Sequence, residues 1–275
     1  MTPPRLSLTI TTYERPEALE AVLRSCFAQQ TAPFEILVAD DGSSEPTRAL
    51  LDRLRCEAPV PLRHLWQPHR GFRLTRLRNL AIAAAQGDYL VFVDGDMVLH
   101  PSFVADHCRL ARRGWYTQGV RIALDPPATK RLLDLPSRQP RPWSSGLGLL
   151  RRLYGLHAPA LQPVLRRAAN GCIAIKGCNQ GFWRDDLLAV NGFEEAIEGW
   201  GPEDKELCAR LRHQGVRRQT LLCGGIAWHL AHPPAPRTRH AANQQLLQQT
   251  LAARRRRATR GVDAHFPQAE TSQPS

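Results

Sequence analysis

The sequence predicts an α/β protein built on a mixed, mostly parallel sheet flanked by helices. Two observations predict it. Apolar runs of strand length alternate with segments of helical spacing through the first half of the chain. Three of those runs end abruptly in polar clusters, Thr11-Thr12-Tyr13, Asp40-Asp41-Gly42-Ser43-Ser44 and Asp94-Gly95-Asp96. A β-α-β-α-β order implies parallel strands joined by helical crossovers. With 275 residues, 43% of them hydrophobic, the chain can bury a substantial core, and one domain with a tail fits better than two.

The first strand is predicted over residues 6–11. Pro16 suits a first helical turn, where the amide it lacks would have no partner anyway. Ala18, Leu19, Val22, Leu23, Cys26 and Phe27 then recur at helical spacing. Residues 34–39 form a second apolar strand, halted by Asp40-Asp41-Gly42. A helix over 46–55, a strand over 62–66 and a helix over 73–85 lead to the strand at 89–93, which opens onto Asp94. Between Asp125 and Arg167 the pattern breaks, with Pro126, Pro127, Pro136, Pro140, Pro142, Pro159 and Pro163 set among many arginines. Within that excursion Leu147, Leu149, Leu150, Leu153, Tyr154 and Leu156 interleave with Arg151 and Arg152. The pattern is open to two readings, a packed lid or a membrane-surface or partner-binding helix, and Gly146, Gly148 and Gly155 weaken it as a helix. A last helical segment from Asn243 is expected to extend into Arg254-Arg255-Arg256-Arg257 and Arg260 as a solvated basic tail.

The balance of 37 Lys and Arg against 25 Asp and Glu, a formal charge of +12, favours polyanionic surroundings: phosphates, anionic lipid head groups or nucleic acid. It does not choose among them. The interleaved aromatic and basic motifs of RNA-binding modules are missing, so no specific nucleic acid partner is expected. No run approaches the ~20 apolar residues of a membrane span, and Met1-Thr2-Pro3-Pro4-Arg5 leads straight into a strand. A cytoplasmic location is expected, with the inner face of a membrane as a peripheral site. The seven cysteines, among them Cys26, Cys108, Cys172 and Cys208 in apolar segments, lack paired metal-ligand spacing and read as reduced core residues.

In sheets of this kind ligands gather beyond the carboxyl ends of the strands. That rule brings Thr11, Thr12, Tyr13, Asp40, Asp41, Asp94, Gly95 and Asp96 to one edge, far apart though they lie in sequence. Read alone, Asp94-Gly95-Asp96 fits a plain turn as well as an Asp-X-Asp pair that holds a divalent cation against a diphosphate. Asp40-Asp41-Gly42-Ser43 fits a turn with one capping Asp, but a cap uses only one of two adjacent acids. On the functional reading Asp96 binds the cation, Asp40 or Asp41 accepts from a uracil or a ribose hydroxyl, and Asp94 orients the ribose or the donor sugar.

The segments Ile10-Thr11-Thr12-Tyr13-Glu14-Arg15-Pro16, Val38-Ala39-Asp40-Asp41-Gly42-Ser43-Ser44 and Val93-Asp94-Gly95-Asp96, in this order and spacing, resemble the nucleotide-binding half of family 2 glycosyltransferases with the Rossmann-like GT-A fold. Gly71-Phe72-Arg73-Leu74 and Arg76-Leu77-Arg78-Asn79 extend the resemblance. In that family the segment lies near the nucleotide sugar, so donor contacts are implied at Arg73, Arg76 and Asn79. Arg78 is a further phosphate candidate, although some arginines of this helix must face solvent. Gly177-Cys178-Asn179-Gln180-Gly181-Phe182-Trp183, Gly192-Phe193-Glu194-Glu195 and Glu198-Gly199-Trp200-Gly201-Pro202-Glu203-Asp204 resemble the carboxyl-terminal part of galactosyltransferase-like and chondroitin-polymerase-like enzymes. There the Trp-Gly-X-Glu-Asp element forms the acceptor side.

The resemblance implies a residue-by-residue expectation. Asp204 maps onto the general base and Glu203 onto a carboxylate that holds a hydroxyl, although either can face the cleft; Glu198 is a further acid. Trp200 offers an apolar plate to a sugar face, Gly201 permits close approach, and Asn179 joins them on the acceptor and sugar side. Gln180, Phe182 and Trp183 are expected around the donor sugar. The His of Ala227-Trp228-His229-Leu230 falls where the related enzymes complete a metal shell. With Asp96 it would suit Mn2+ (or Mg2+), and His232 takes its place if the register shifts by three.

The implied organisation is one GT-A domain over 1–235: a nucleotide-sugar half at 1–124, an insertion at 125–168 and an acceptor half at 169–235. A basic helix and flexible tail follow at 236–275. The implied reaction moves a hexose or related sugar from a nucleoside-diphosphate sugar, UDP-linked foremost, to a hydroxyl of a glycan or glycolipid, with inversion. Pro202 departs from the usual middle position, and retaining enzymes of this fold carry a related Trp-Gly-X-Glu element, so inversion rests on Asp204 alone. A polyanion-binding protein without catalysis and a nucleotidyltransferase using the Asp-Gly-Asp metal site are the other classes; neither accounts for Trp200 through Asp204.

Overall fold

In the computed structural model, which describes residues 2–136, 140, 149–162, 174–233 and 237–266, the first half follows the predicted alternation. Its elements are β1 (Leu6–Thr12), α1 (Pro16–Phe27), β2 (Glu35–Asp40), α2 (Glu45–Arg55), β3 (Leu62–Trp66), α3 (Leu74–Ala84) and β4 (Tyr89–Asp94). They are followed by β5 (Met97–Leu99), α4 (Phe103–Leu110), β6 (Trp115–Gln118), β7 (Arg121–Ala123), α5 (Pro126–Asp134) and α6 (Leu149–Tyr154). The second half adds β8 (Asn179–Trp183), α7 (Arg184–Ala189), α8 (Glu203–His213), β9 (Arg217–Thr220), β10 (Ala227–His229) and α9 (His240–Ala252).

A seven-stranded sheet runs β3-β2-β1-β4-β8-β6-β9. Its pairs are parallel except where β8 lies antiparallel to β4 and β6. Period-two alternation splits the strand residues between two cores. Leu6, Leu8, Ile10, Ile36, Val38, Val91 and Val93 join one with α1 and α2, while Leu37, Ala39, Leu90 and Phe92 join Leu77, Ile82, Leu207 and Leu211 in the other. A second sheet, β5-β10-β7, is small but decisive for the site, because its register sets His229 opposite Met97, one residue past Asp96.

Two sequence expectations change. The prolines that open the excursion start a helix: Pro126 and Pro127 occupy the first turn of α5, and the Asp125 carboxylate accepts from the Ala128 N–H at 2.8 Å as its cap. Ala128 and Leu132 then bury against the α1 side. Leu153 and Tyr154 are exposed, while Gly146, Leu147 and Gly148 lie outside the described residues. The last helix does not extend into the arginine run. It ends at Ala252, Arg254 turns the chain at φ +46°, and residues 258–265 pack back on the body, with Ala258 and Val262 donating to the Val190 and Asn191 carbonyls. The basic tail is therefore a packed strap as far as Phe266, and residues 267–275 lie outside the described range.

A buried ion pair within α8 anchors α9. Arg210 and Glu206, both essentially inaccessible, pair at 2.7 Å; Arg210 also donates to the Val190 carbonyl, and Thr250 on α9 donates to Glu206 at 2.9 Å. Glu206→Ala strands a buried guanidinium, so we expect a loss of roughly 3–5 kcal/mol of stability in denaturant titration. Glu206→Gln, which keeps acceptor capacity, is expected to lose less.

Candidate active site

Beyond the carboxyl ends of β1 and β4 opens a cleft of about 710 Å³. Thr11, Thr12, Tyr13, Asp41, Asp94, Gly95 and Asp96 line one part; Trp200, Gly201, Glu203, Asp204 and His229 line the other. Gly95 allows the two carboxylates to sit so near β1: its N–H donates to the Thr11 carbonyl at 2.7 Å, and a Cβ there would meet that same oxygen at 2.8 Å.

Asp96, His229 and His232 converge, with candidate ligand atoms all within 4.8 Å of one another. His229 Nε2 is 3.6 Å from Asp96 Oδ1, and His232 Nε2 is 3.1 Å from Oδ2. Asp96 Oδ1 is buried without a hydrogen-bond partner, which a bound cation would supply. Burial opposes the Asp96 charge, but the His232 hydrogen bond and the surrounding positive groups hold its carboxyl below the usual range. Burial pushes His229 down, toward the neutral imidazole that ligates metals, whereas the bond to Asp96 raises His232. One carboxylate and two imidazoles fit Mn2+ better than Mg2+, which prefers oxygen. The two histidines are therefore partners in one cluster, not alternatives of register.

The buried Arg78 side chain joins the two parts of the cleft. It lies 3.3 Å from Asp94 Oδ1 and 3.3 Å from Glu203 Oε1, and donates to the Gly177 carbonyl at 3.4 Å. Thr11 also donates to Asp94 at 3.2 Å. Pro202 precedes α8, so Glu203 and Asp204 occupy its first turn; Asp204 accepts from the Lys205 N–H at 2.7 Å. Burial, reinforced by Asp204, pushes Glu203 up to about 8 despite Arg78. Burial likewise raises Asp204 and Asp94. These three acids thus hold protons more tightly than free carboxyls do, while Asp96 releases its own more readily.

Several expected contacts lie elsewhere. Asp40 is buried behind the turn, accepting from the Ser43 N–H at 2.8 Å and bonding His64 at 3.0 Å, so of the two adjacent acids Asp41 faces the cleft. Asn79 is sealed in the core, where its amide donates to the Phe193 carbonyl and Glu195 and its oxygen accepts from the Phe193 N–H; it anchors the loop that leads to Trp200. Arg73 and Arg76 line a separate small cavity with Glu195 and Glu198. The helix turns these two away and Arg78 inward. Asn179 is fully buried, bonded to His107 and to the Val120 and Gly225 carbonyls, and Gln180, Phe182 and Trp183 are core residues of β8. Strand β8 passes through the sheet interior, where Asn179 satisfies buried backbone carbonyls and Gln180 donates to the Gln118 side chain. Sequence reasoning missed Arg15, whose Nη1 lies 3.0 Å from Asp96 Oδ2, although it was visible in the Tyr13-Glu14-Arg15-Pro16 motif.

The sheet order and the placement of both carboxylate groups at its carboxyl edge define a GT-A glycosyltransferase domain. The glycosyl transferase family 2 model matches residues 7–168, more than half of the chain, and the chain belongs to that family; a model described as the N-terminal domain of galactosyltransferase matches residues 169–233. The chain is 28% identical over 240 residues to validoxylamine A glucosyltransferase of Streptomyces hygroscopicus subsp. limoneus, covering 78% of this chain and 49% of the relative. It is 33% identical over 250 residues to hyaluronan synthase of Pasteurella multocida, covering 83% of this chain and 25% of the relative. It thus spans half or less of the length of these relatives. A mannosyltransferase of Pyrobaculum calidifontis in complex with GDP-Man and Mn2+ shares the fold at a TM-score of 0.59 and 19% identity, with 88% of this chain and 60% of that chain covered.

The raised Glu203 pKa carries a stability signature. A carboxyl whose folded value lies above its unfolded one stabilises fully below the unfolded pKa and loses that contribution as pH rises through about 8. Glu203→Gln is therefore expected to gain thermal stability relative to the parent between pH 5 and 8, by roughly 2–4 °C per kcal/mol, in paired melting curves. A pH-independent difference would contradict the burial of this acid.

Proposed function

We propose that the chain transfers a hexose or related sugar from a nucleoside-diphosphate sugar, UDP-linked foremost, to a hydroxyl of a glycan or glycolipid, by direct displacement with inversion. The observation that carries this reading is that one cleft holds both the Asp96–His229–His232 cluster and the Trp200–Asp204 element. A divalent cation held by Asp96, His229 and His232 would supply positive charge to the departing diphosphate. Arg15 and Arg121, which also line the cleft, add fixed positive charge on that side. Asp41 and Asp94 offer acceptors to base, ribose or donor-sugar hydroxyls. Trp200 receives a sugar face, and Asp204, in its deprotonated form, takes the acceptor hydroxyl proton as that oxygen attacks the anomeric carbon. Glu203, tied to Arg78, positions a hydroxyl beside it. A lipid-linked acceptor would bring the chain to the inner face of an anionic membrane; no described helix is long and apolar enough to cross one.

A panel of UDP- and GDP-sugars with Mn2+ tests this reading, with nucleoside diphosphate as the expected product. Pyrophosphate release would instead mark a nucleotidyltransferase, and salt-sensitive nucleic-acid binding untouched by Asp96→Ala would mark a polyanion binder. Asp204→Asn is expected to lower kcat by roughly 10²–10⁴-fold with little change in donor KM. Asp96→Ala and chelation are expected to abolish turnover, and Asp96→Ala to abolish Mn2+ binding measured by electron paramagnetic resonance.

A further inference from the structure

The chain beyond residue 233, outside both family matches, returns to the cleft. Arg237, His240 and Gln244 line it. The Arg237 guanidinium carbon lies 4.5 Å from the Trp200 ring centroid, and the His240 ring lies 4.9 Å from it. Asn243, fully buried on α9, holds this arrangement: its amide donates to the Glu198 carbonyl at 2.8 Å and to the Trp200 carbonyl at 3.2 Å. Gly201 makes room for it, since a Cβ there would stand 2.5 Å from Asn243 Nδ2. The last helix is thus built into the Trp200 side of the site.

The charge at that side is unbalanced. Arg15 is paired with Asp96, and Arg78 with Asp94 and Glu203. Arg237 and Lys205 also line the cleft; among the described residues neither lies within ion-pair distance of a carboxylate, although the Lys205 charge acts on neighbouring Asp204. His240 Nδ1 is buried without a hydrogen-bond partner, and α9 begins at His240, so the positive end of its dipole adds to the same field. A guanidinium stacked on an aromatic ring keeps its N–H edge available for a carboxylate or phosphate.

Resting on the glycosyltransferase reading, we propose that Trp200, Lys205, Arg237 and His240 form an acceptor subsite for a saccharide that carries an anionic group, carboxylate or phosphate. The sugar ring packs at Trp200 while Arg237 and Lys205 meet the anion, and Asn243 is a positioning residue that holds the Trp200 loop.

Calorimetric titration with a glucuronate-terminated disaccharide, a hexose phosphate and neutral lactose tests the subsite without requiring turnover. At least one anionic probe is expected to bind roughly tenfold or more tightly than lactose, and to weaken as salt is raised. Arg237→Ala should erase most of that preference and Arg237→Lys should restore part of it; which anionic probe binds tells carboxylate from phosphate. Equal binding of neutral and anionic probes, no binding of any, or a preference indifferent to Arg237→Ala would overturn the proposal. So would anion binding that Asp96→Ala abolishes and Arg237→Ala leaves intact, because that binding belongs to the donor side. Failure to turn over any nucleotide sugar would count against glycosyl transfer itself, a separate result.

Discussion

The buried guanidinium of Arg78 is the interaction on which the site depends. Asp94, Glu203 and Asp204 line one cleft, and burial together with like charge raises all three above the usual carboxyl range. Arg78 bridges Asp94 of the first half and Glu203 of the second while also binding the Gly177 carbonyl. Its own burial is tolerable because the two carboxylates and the carbonyl surround it, and the ring of Phe193 lies 5.2 Å away. The same contacts therefore close the two halves on each other and partly offset the burial that raises the acids between them.

Environment separates those acids into two kinds. Asp96 sits among Arg15, His229 and His232 and is held ionised, as a metal ligand must be. Glu203 and Asp204 sit where burial outweighs the nearby positive charge and are raised. A base with an elevated pKa accepts a proton more readily once ionised, so the side of the cleft that would receive an acceptor hydroxyl is the side tuned for it. The chemistry rests less on the identity of the residues, carboxylates throughout, than on which cations reach each one.

The alternating strands and helices of the first half were legible because both periods are strong there and each strand ends in a polar cluster. The edge rule correctly gathered Thr11, Asp41, Asp94 and Asp96. It could not tell Asp40 from Asp41, both buried, because the turn that sets Asp41 and not Asp40 at the cleft wall is held by His64 and Ser43. Nor could helical spacing tell that Arg78 points inward and Arg73 and Arg76 outward, since Arg78 is drawn in by carboxylates distant in sequence. Asn179 and Asn79 looked like ligand contacts because buried amides and binding amides have the same composition. Their partners here are backbone carbonyls that would otherwise be unpaired. His232 was read as a substitute for His229, whereas the three-residue spacing after a short strand lets both reach Asp96.

The segment past residue 233 was the hardest to read, and the reason is physical. Its arginine run dominates the composition and suggests a solvated tail, yet the residues that matter are the uncharged Asn243 and Thr250 and the small Ala258 and Val262, which pack or bond to the body. A helix that supports Trp200 through two backbone carbonyls needs only one amide at the right place, and leaves no periodic trace. Because that support reaches the loop backbone and not the reacting groups, the segment can change the shape and charge of the Trp200 side without disturbing Asp96, His229 or Asp204. Divergence in what the cleft accepts is then expected to concentrate in this strap, where substitutions leave the donor-side residues untouched.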